Sequence, residues 1–373
     1  MTTENEAPDA APGGAGADQS RVSGQRLIAK TSVVSGMTLL SRILGLVRDV
    51  VFARFFGASL VMDAFLVANR IPNMLRRFFA EGAFSQGFVP VMARYRERHD
   101  HEDAREFVDA VAGTFGLILF LVTLAGVVAA PLLVAIVAPG FIGEDGRFDL
   151  ATLMLRFTFP YLFFVSLTAF AGGILNTYGR FGVPAFTPVI LNVVLIAGAV
   201  WLSPRLAEPG MALAYAVFIA GLCQLLFQVP FLMRIRALPR PKWGLQHEGV
   251  RRVARLMLPA IFGSSVAQIN VLLGGIIASM LGVGKISLLY YSDRLMEFPL
   301  GLFGIALATV TLPYLARQAA NESFDEFADT LDWSMKLVLL IAVPAAIGLI
   351  VLAEPLVTTI FYGGLFTSED VRM

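Results

Sequence analysis

The sequence predicts an all-α, polytopic membrane protein, and three observations carry that expectation. Hydrophobic residues make up 57% of the 373 and charged residues only 15%, with a mean hydropathy of +0.72. A soluble domain carries nearer a quarter charged residues. The apolar residues come in runs of bilayer-spanning length, roughly 20 residues each, and such runs recur along almost the whole chain. The basic residues collect in alternate loops. Length alone would allow two soluble domains, but the length of these runs excludes them.

Taken in order, residues 1–27 are rich in Ala, Gly, Pro and acids, without an apolar core, and read as a disordered cytoplasmic tail. They lack a cleavable signal pattern, so the first apolar segment is expected to stay as an anchor. Nine spans follow, near 31–54, 62–92, 107–137, 152–177, 184–203, 210–233, 253–281, 286–316 and 331–353. They divide into an N-lobe of spans one to six (28–234), a basic cytoplasmic loop (235–252) and a partial C-lobe (253–373). The last stretch, EPLVTTIFYGGLFTSEDVRM, reads as a loop and the start of a tenth helix, so the second lobe is expected to be incomplete.

Loop charge orients the spans. With the N-terminus in the cytoplasm, the inner segments hold Arg21, Arg26 and Lys30, then Arg94, Arg96, Arg98 and Arg105, then Arg180, then seven cations from Arg234 to Arg255, and Arg317. The outer loops hold only Arg54, Arg147, Arg205 and Lys285. The stretch from Arg234 to Arg255 also suits anionic headgroups, although topology explains it equally well.

A weak internal repeat suggests two related lobes with a site between them. Span two ends FVPVMARY (Phe88 to Tyr95) and span eight TLPYLARQ (Thr311 to Gln318), each with Pro three residues before Ala-Arg. The preceding helices end ARFFGAS (Ala53 to Ser59) and ASMLGVG (Ala278 to Gly284).

Catalytic and metal chemistry find little support. The one cysteine, Cys223, lies inside a span, and His99, His101 and His247 fall in polar loops and read as solvated. No nucleophile–base constellation or acidic metal motif stands out, so neither an enzyme nor a metal site is expected.

The informative feature is charge inside the membrane. Span one holds Ser41, Arg42, Arg48 and Asp49. Span two holds Asp63, Asn69, Arg70, Asn73, Arg76, Arg77, Glu81 and Gln86, and span eight Tyr290, Tyr291, Asp293, Arg294 and Glu297. Each central Arg costs about 2.5–3.5 kcal/mol on insertion scales, so water or partners must relieve it. Helical spacing puts Arg42 and Asp49 on one face, aligns Asn69, Asn73 and Arg76, and spaces Arg77 and Glu81 as an i,i+4 pair. Buried ion pairs that lock helices together are the bland reading. Arg nevertheless outnumbers acid near mid-depth, and surplus guanidinium in a wet cavity suits a polyanion such as a phosphate. A site for cationic drugs would show surplus acid.

At these residues the sequence resembles the MurJ (MviN) family of lipid II flippases. The strings that carry the likeness are SRILGLVRDVVFARFFGASLVMDAF (Ser41 to Phe65), RIPNMLRRFFAEGAFSQGFVPVMARY (Arg70 to Tyr95), GGILNTYGRFGVPAFTPVILN (Gly172 to Asn192) and YYSDRLMEFPLGLFGIALATVTLPYLAR (Tyr290 to Arg317). The resemblance implies a transporter of the MOP superfamily, two lobes in a V with further helices after them, in the bacterial cytoplasmic membrane. It implies lipid II, the undecaprenyl-pyrophosphate-linked peptidoglycan precursor, as substrate, moved from the inner to the outer leaflet. Arg42, Arg48, Arg76 and Arg294, with Asn73 and Ser287, match substrate-cavity positions; Asp63, Glu297 and Asp49 are assigned to gating. No cofactor is expected, and coupling to membrane potential or a cation stays open. Expected partners are lipid II, membrane lipids and cell-wall synthesis enzymes, with no nucleic acid. The alternatives are an exporter of another polyprenyl-linked glycan, or a scaffold for cell-wall synthesis that transports nothing.

Overall fold

The computed structural model describes residues 14–98, 101–143, 146–299, 301 and 305–373. Among them every regular element is helical, apart from one isolated bridge between Gly363 and Phe366. Helix α1 is Gly14–Phe56, and α2 (Leu60–Arg76) runs through a π-helical turn, Arg77–Glu81, into α3 (Gly82–Arg98). Then come α4 (His101–Val128), α5 (Ala130–Val137), α6 (Arg147–Thr158), α7 (Tyr161–Thr177), α8 (Gly182–Ala197) and α9 (Met211–Arg234). The second half holds α10 (Glu248–Met280), α11 (Lys285–Pro299), α12 (Ile305–Ala320), α13 (Phe324–Val351), α14 (Ala353–Phe361) and α15 (Ser368–Arg372).

Every predicted span falls on one of these helices or on a consecutive pair. By length and apolarity five described stretches can cross a membrane: Glu102–Val128, Arg147–Thr177, Gly182–Arg205, Met211–Arg234 and Phe324–Val351. The pair Glu248–Gly263 and Gln268–Met280, bent by 48°, makes a sixth when taken as one span. The predicted spans outside this set, on α1, α2–α3 and α11–α12, are those that carry the intramembrane charge. The chain is a multi-pass membrane protein.

Two terminal expectations change. The tail expected through residue 27 is helical from Gly14, because no proline falls between Pro12 and Pro72 and α1 extends ahead of its span; residues 1–13 lie outside the described set. At the other end, the loop expected before the last helix contains α14, and α15 then starts at a capping box between Thr367 and Asp370. Capping explains two further starts. Ser59 Oγ accepts from Met62 N–H at the head of α2, and His247 Nδ1 accepts from Gly249 N–H at the head of α10. His247 is therefore half-buried beside Tyr95 and Phe107, not a solvated loop residue.

The first half packs α1 along α8, α7 along α9 and α2 along α6. The second half meets it at two ends. At the end that carries the α9–α10 linker, α10 lies along α3, and Val250 and Val253 join Phe84, Phe88, Phe107, Phe115 and Phe170 in one core. At the other end Ile286, Tyr291, Phe361 and Phe366 join Phe52, Phe56 and Phe65. There the backbones also touch. A side-chain carbon on Gly140 would overlap the Ser279 carbonyl, one on Gly284 the Ala58 carbonyl, and one on Gly364 the Arg54 carbonyl. Leu365 N–H donates to that Arg54 carbonyl at 2.9 Å.

The linker itself is a strap held on α4. Buried Asp109 accepts Arg240 N–H on Oδ1 at 2.7 Å and Lys242 N–H on its backbone carbonyl at 3.0 Å. Gly244 N–H donates to Thr114 Oγ at 3.2 Å. Arg240 and Lys242 have exposed side chains, Lys242 Nζ standing 4.0 Å from Asp109 Oδ2, while their backbone is pinned.

Candidate anion-binding site

Between these two contacts, α1, α8 and α11 bring their polar residues together. Ser287, Tyr290, Arg294 and Glu297 follow one another at three- and four-residue steps, which is one stripe of α11. Arg48 and Asp49 face that stripe from α1.

Asp49 is the centre. Its carboxylate is fully buried, and both oxygens accept hydrogen bonds. Oδ1 accepts from Arg48 Nε (2.9 Å), Arg48 Nη2 (2.7 Å) and Tyr290 Oη (2.7 Å), and Oδ2 from Arg294 Nε (2.6 Å). Arg48 also donates to Asn192 Oδ1, through Nη1 at 3.0 Å, and to Tyr290 Oη, through Nη2 at 3.1 Å. Its guanidinium also stands 5.7 Å from the Phe52 ring centroid. Arg294 gives Nη1 to Glu297 Oε2 at 2.8 Å.

Exposure rises steadily outward through this set: side chains are 0% exposed at Asp49, 13% at Arg48, 34% at Arg294 and 61% at Glu297. The cluster is thus anchored at its carboxylate and opens through Arg294. Two guanidiniums share one buried acid, so the inner part keeps a net positive charge. Such a group is costly to break, about 3–5 kcal/mol when one partner of a buried pair is removed. An incoming anion can offset that cost by replacing the carboxylate oxygens.

Arg42 is not part of this group. It shares a face with Asp49, but seven residues is about 10 Å along a helix, and the adjacent Arg48 takes the carboxylate. Arg42 is exposed and lies against Gly301. On α2, Arg76 Nε donates to Asn73 Oδ1 at 3.3 Å, while Asn73 Nδ2 donates to the Asn69 carbonyl at 2.9 Å. The aligned face predicted for these three residues is therefore present. Arg77 Nη1 donates to Gln268 Oε1 on α10 at 3.3 Å, and Arg77–Glu81 forms a π-helical turn. The side chain of Glu81 lies outside the described residues. Arg70, half-buried, packs its Nη1 into the space left by Gly275, where it has no hydrogen-bond partner among the described residues.

Two placements differ from expectation. Ser287, matched to the cavity, is fully buried with Asp63: its N–H and Oγ donate to Oδ1 at 2.8 and 2.6 Å, and Gly284 N–H donates to Oδ2 at 2.6 Å. The first N–H groups of α11 have no helical acceptor, and a carboxylate from α2 satisfies them. Asp49, assigned to gating, is the counter-ion of the arginines themselves. Glu297 caps the exposed end of the same chain of contacts.

Asn192 and Tyr290 complete the site. Tyr290 was visible in the sequence only as one of several polar residues of span eight. Asn192 carried a signal that went unused: it is the lone amide in an otherwise apolar span. Buried amides need partners, so such a residue points toward a polar neighbour.

The comparisons with known proteins agree. A family model described as "Lipid II flippase MurJ" matches residues 52–373. The probable lipid II flippase MurJ of Haemophilus influenzae is 51% identical over 348 residues, covering 90% of this chain and 68% of that protein. The lipid II flippase MurJ of Burkholderia cenocepacia is 44% identical over 344 residues, covering 91% and 67%. Among solved structures, "Lipid II flippase MurJ, inward closed conformation" aligns with a TM-score of 0.75 at 29% identity, over 91% of this chain and 69% of that one. An inward-facing multidrug resistance MATE family transporter of the MOP superfamily aligns with a TM-score of 0.69 at 13% identity, over 91% and 77%. That second likeness shows the shared transporter fold.

Proposed function

Since the chain belongs to the lipid II flippase MurJ family, we propose that it carries lipid II across the bacterial cytoplasmic membrane, from the inner to the outer leaflet, by alternating access. The observation that supports this reading is the Arg48–Asp49–Arg294 group, two guanidiniums from different halves on one buried carboxylate. Guanidinium matches phosphate geometry and never deprotonates, so a diphosphate can take over the donors that Asp49 now occupies. Arg294, the more exposed partner, meets the headgroup first. Arg42, Arg76 and Asn73 supply further donors along its path.

The same contact couples binding to motion. Arg48 and Asp49 belong to the first half and Arg294 to the second, so exchanging Asp49 for substrate loosens one bridge between the halves. Asp63 acts as the outer gate by holding the head of α11. On this orientation the strap from Arg234 to Arg255 faces the cytoplasm, as does the N-terminus. The apolar polyprenyl tail stays in lipid while the headgroup crosses. Coupling to membrane potential or to a cation, and contacts with membrane lipids and cell-wall synthesis enzymes, complete the proposal.

The test is flipping of labelled lipid II in proteoliposomes by the wild type and by the Arg48→Ala and Arg294→Ala variants. Loss of flipping in both, with the proteins folded, supports the site. Unchanged flipping in both rules it out as the diphosphate site. A transporter of another polyprenyl-linked glycan would reveal itself by flipping that lipid in preference to lipid II.

A further inference from the structure

Resting on that reading, we propose that Asn192 is a positioning residue for diphosphate binding: it aims Arg48 at the substrate and keeps it aimed when the two halves separate. Its amide is used at both ends. Oδ1 accepts from Arg48 Nη1 at 3.0 Å, and Nδ2 donates to the Ser41 carbonyl of α1 at 3.0 Å. Only this orientation of the amide works, because a guanidinium can only donate and a carbonyl can only accept. Asn192 is buried, so neither bond is exchanged with bulk water.

The location gives the residue its distinct role. The other hydrogen-bond partners of Arg48 change on this reading: Asp49 is the group that the diphosphate displaces, and Tyr290 lies on α11 in the other half. Asn192 lies on α8, which packs along α1. It is therefore the hydrogen-bond partner that moves with Arg48, beside the Phe52 ring of α1. Without it, the freed guanidinium would have to be ordered again for every substrate molecule, at the cost of its side-chain entropy. With it, Nη1 stays fixed while Nε and Nη2, the donors now on Asp49, are presented to phosphate oxygens.

The experiment is native mass spectrometry of the chain in detergent, with lipid II competing against phosphatidylglycerol, for the wild type, Asn192→Leu, Arg48→Ala and the double variant. Leu keeps the branched four-atom shape of the Asn side chain, at a larger volume, and removes both hydrogen bonds. The expected result is that Asn192→Leu weakens lipid II binding about tenfold, the worth of one charge-assisted hydrogen bond, leaves phosphatidylglycerol binding unchanged, and adds nothing in the Arg48→Ala background. A merely structural role would weaken both lipids and would add in the double variant, and that outcome overturns the proposal. So does full lipid II binding by Asn192→Leu when Arg48→Ala has lost it. Lipid II binding that Arg48→Ala leaves intact would instead overturn the substrate reading beneath it. Should Asn192→Leu fail to fold, Asn192→Ala decides: it removes both hydrogen bonds without adding bulk or charge, and the same selective loss of lipid II binding is expected. Undiminished lipid II binding in that variant overturns the proposal too.

Discussion

Asp49 Oδ2 and Arg294 Nε meet at 2.6 Å, and this one contact joins α1 of the first half to α11 of the second at the polar centre of the protein. Because Asp49 also holds Arg48 and Tyr290, the carboxylate is the hub on which the halves agree. Its removal leaves two guanidiniums facing each other without an acid between them.

Asp49→Asn should therefore destabilise the folded protein by about 3–5 kcal/mol, the cost of leaving a buried pair half-made. Arg294→Ala in the Asp49→Asn background should cost much less than it does alone. Thermal unfolding of the two single variants and the double variant, in one detergent, measures the coupling. Additive losses would show that the two residues do not act as a pair.

The glycines at the Asp63 end predict a conformational effect. Gly140 lies against the Ser279 backbone, and Gly140 N–H donates to Ser279 Oγ at 3.2 Å. Gly140→Val forces these backbones apart, so the closed arrangement of this end should lose population. Electron–electron distance measurements between spin labels on the exposed residues Ile142 and Met280 should show a longer component in the variant. An unchanged distribution would mean that the contact does not hold this end shut.

Asp63 and Ser287 predict an order of effects. Ser287→Ala removes one of three donors on Asp63 and should cost about 1 kcal/mol. Asp63→Ala strands the N–H groups of Gly284 and Ser287 together and should cost roughly 2–4 kcal/mol, two orphaned donors rather than one lost bond. Chemical denaturation of both variants tests the order, and a larger loss for Ser287→Ala contradicts it.

Asp109 predicts a local release. Asp109→Ala removes the carboxylate that accepts Arg240 N–H, so the strap should detach from α4 more often. Trypsin should then cleave after Lys242 several-fold faster in Asp109→Ala, with a smaller rise in Thr114→Val, which loses a single bond to Gly244. Equal rates in wild type and Asp109→Ala would mean that the strap is held by other contacts.

Most of the helical plan was legible because it is local. Long apolar runs, their polar breaks and the charge of the loops depend on residues close together in the chain, and each predicted span coincides with helix. The misreadings at the ends were also local. Pro12 is the last proline before α1, and the apolar run before Tyr362 was long enough for a short helix. At the site, the excess of Arg over acid pointed to α1 and α11, which carry Arg48, Asp49 and Arg294, but not to α8, and the α11 stripe follows from its three- and four-residue spacing.

Partnership was not legible in the same way. Arg42 and Arg48 look equivalent by type and helix, yet only Arg48 joins Asp49, and its other partners lie 144 residues away at Asn192 and 242 away at Tyr290. Arg294 is 245 residues from Asp49, and Ser287 is 224 from Asp63. Composition and periodicity state that charge must be neutralised inside the membrane, and on which helical face it sits. They do not state which acid does it, because a side chain reaches only a few ångströms and the packing of α1 against α8 and α11 selects what lies within that reach. A carboxylate placed by tertiary packing therefore draws Arg48 and Arg294, of four candidate arginines, into one group, and a second carboxylate, Asp63, takes the donors of Ser287.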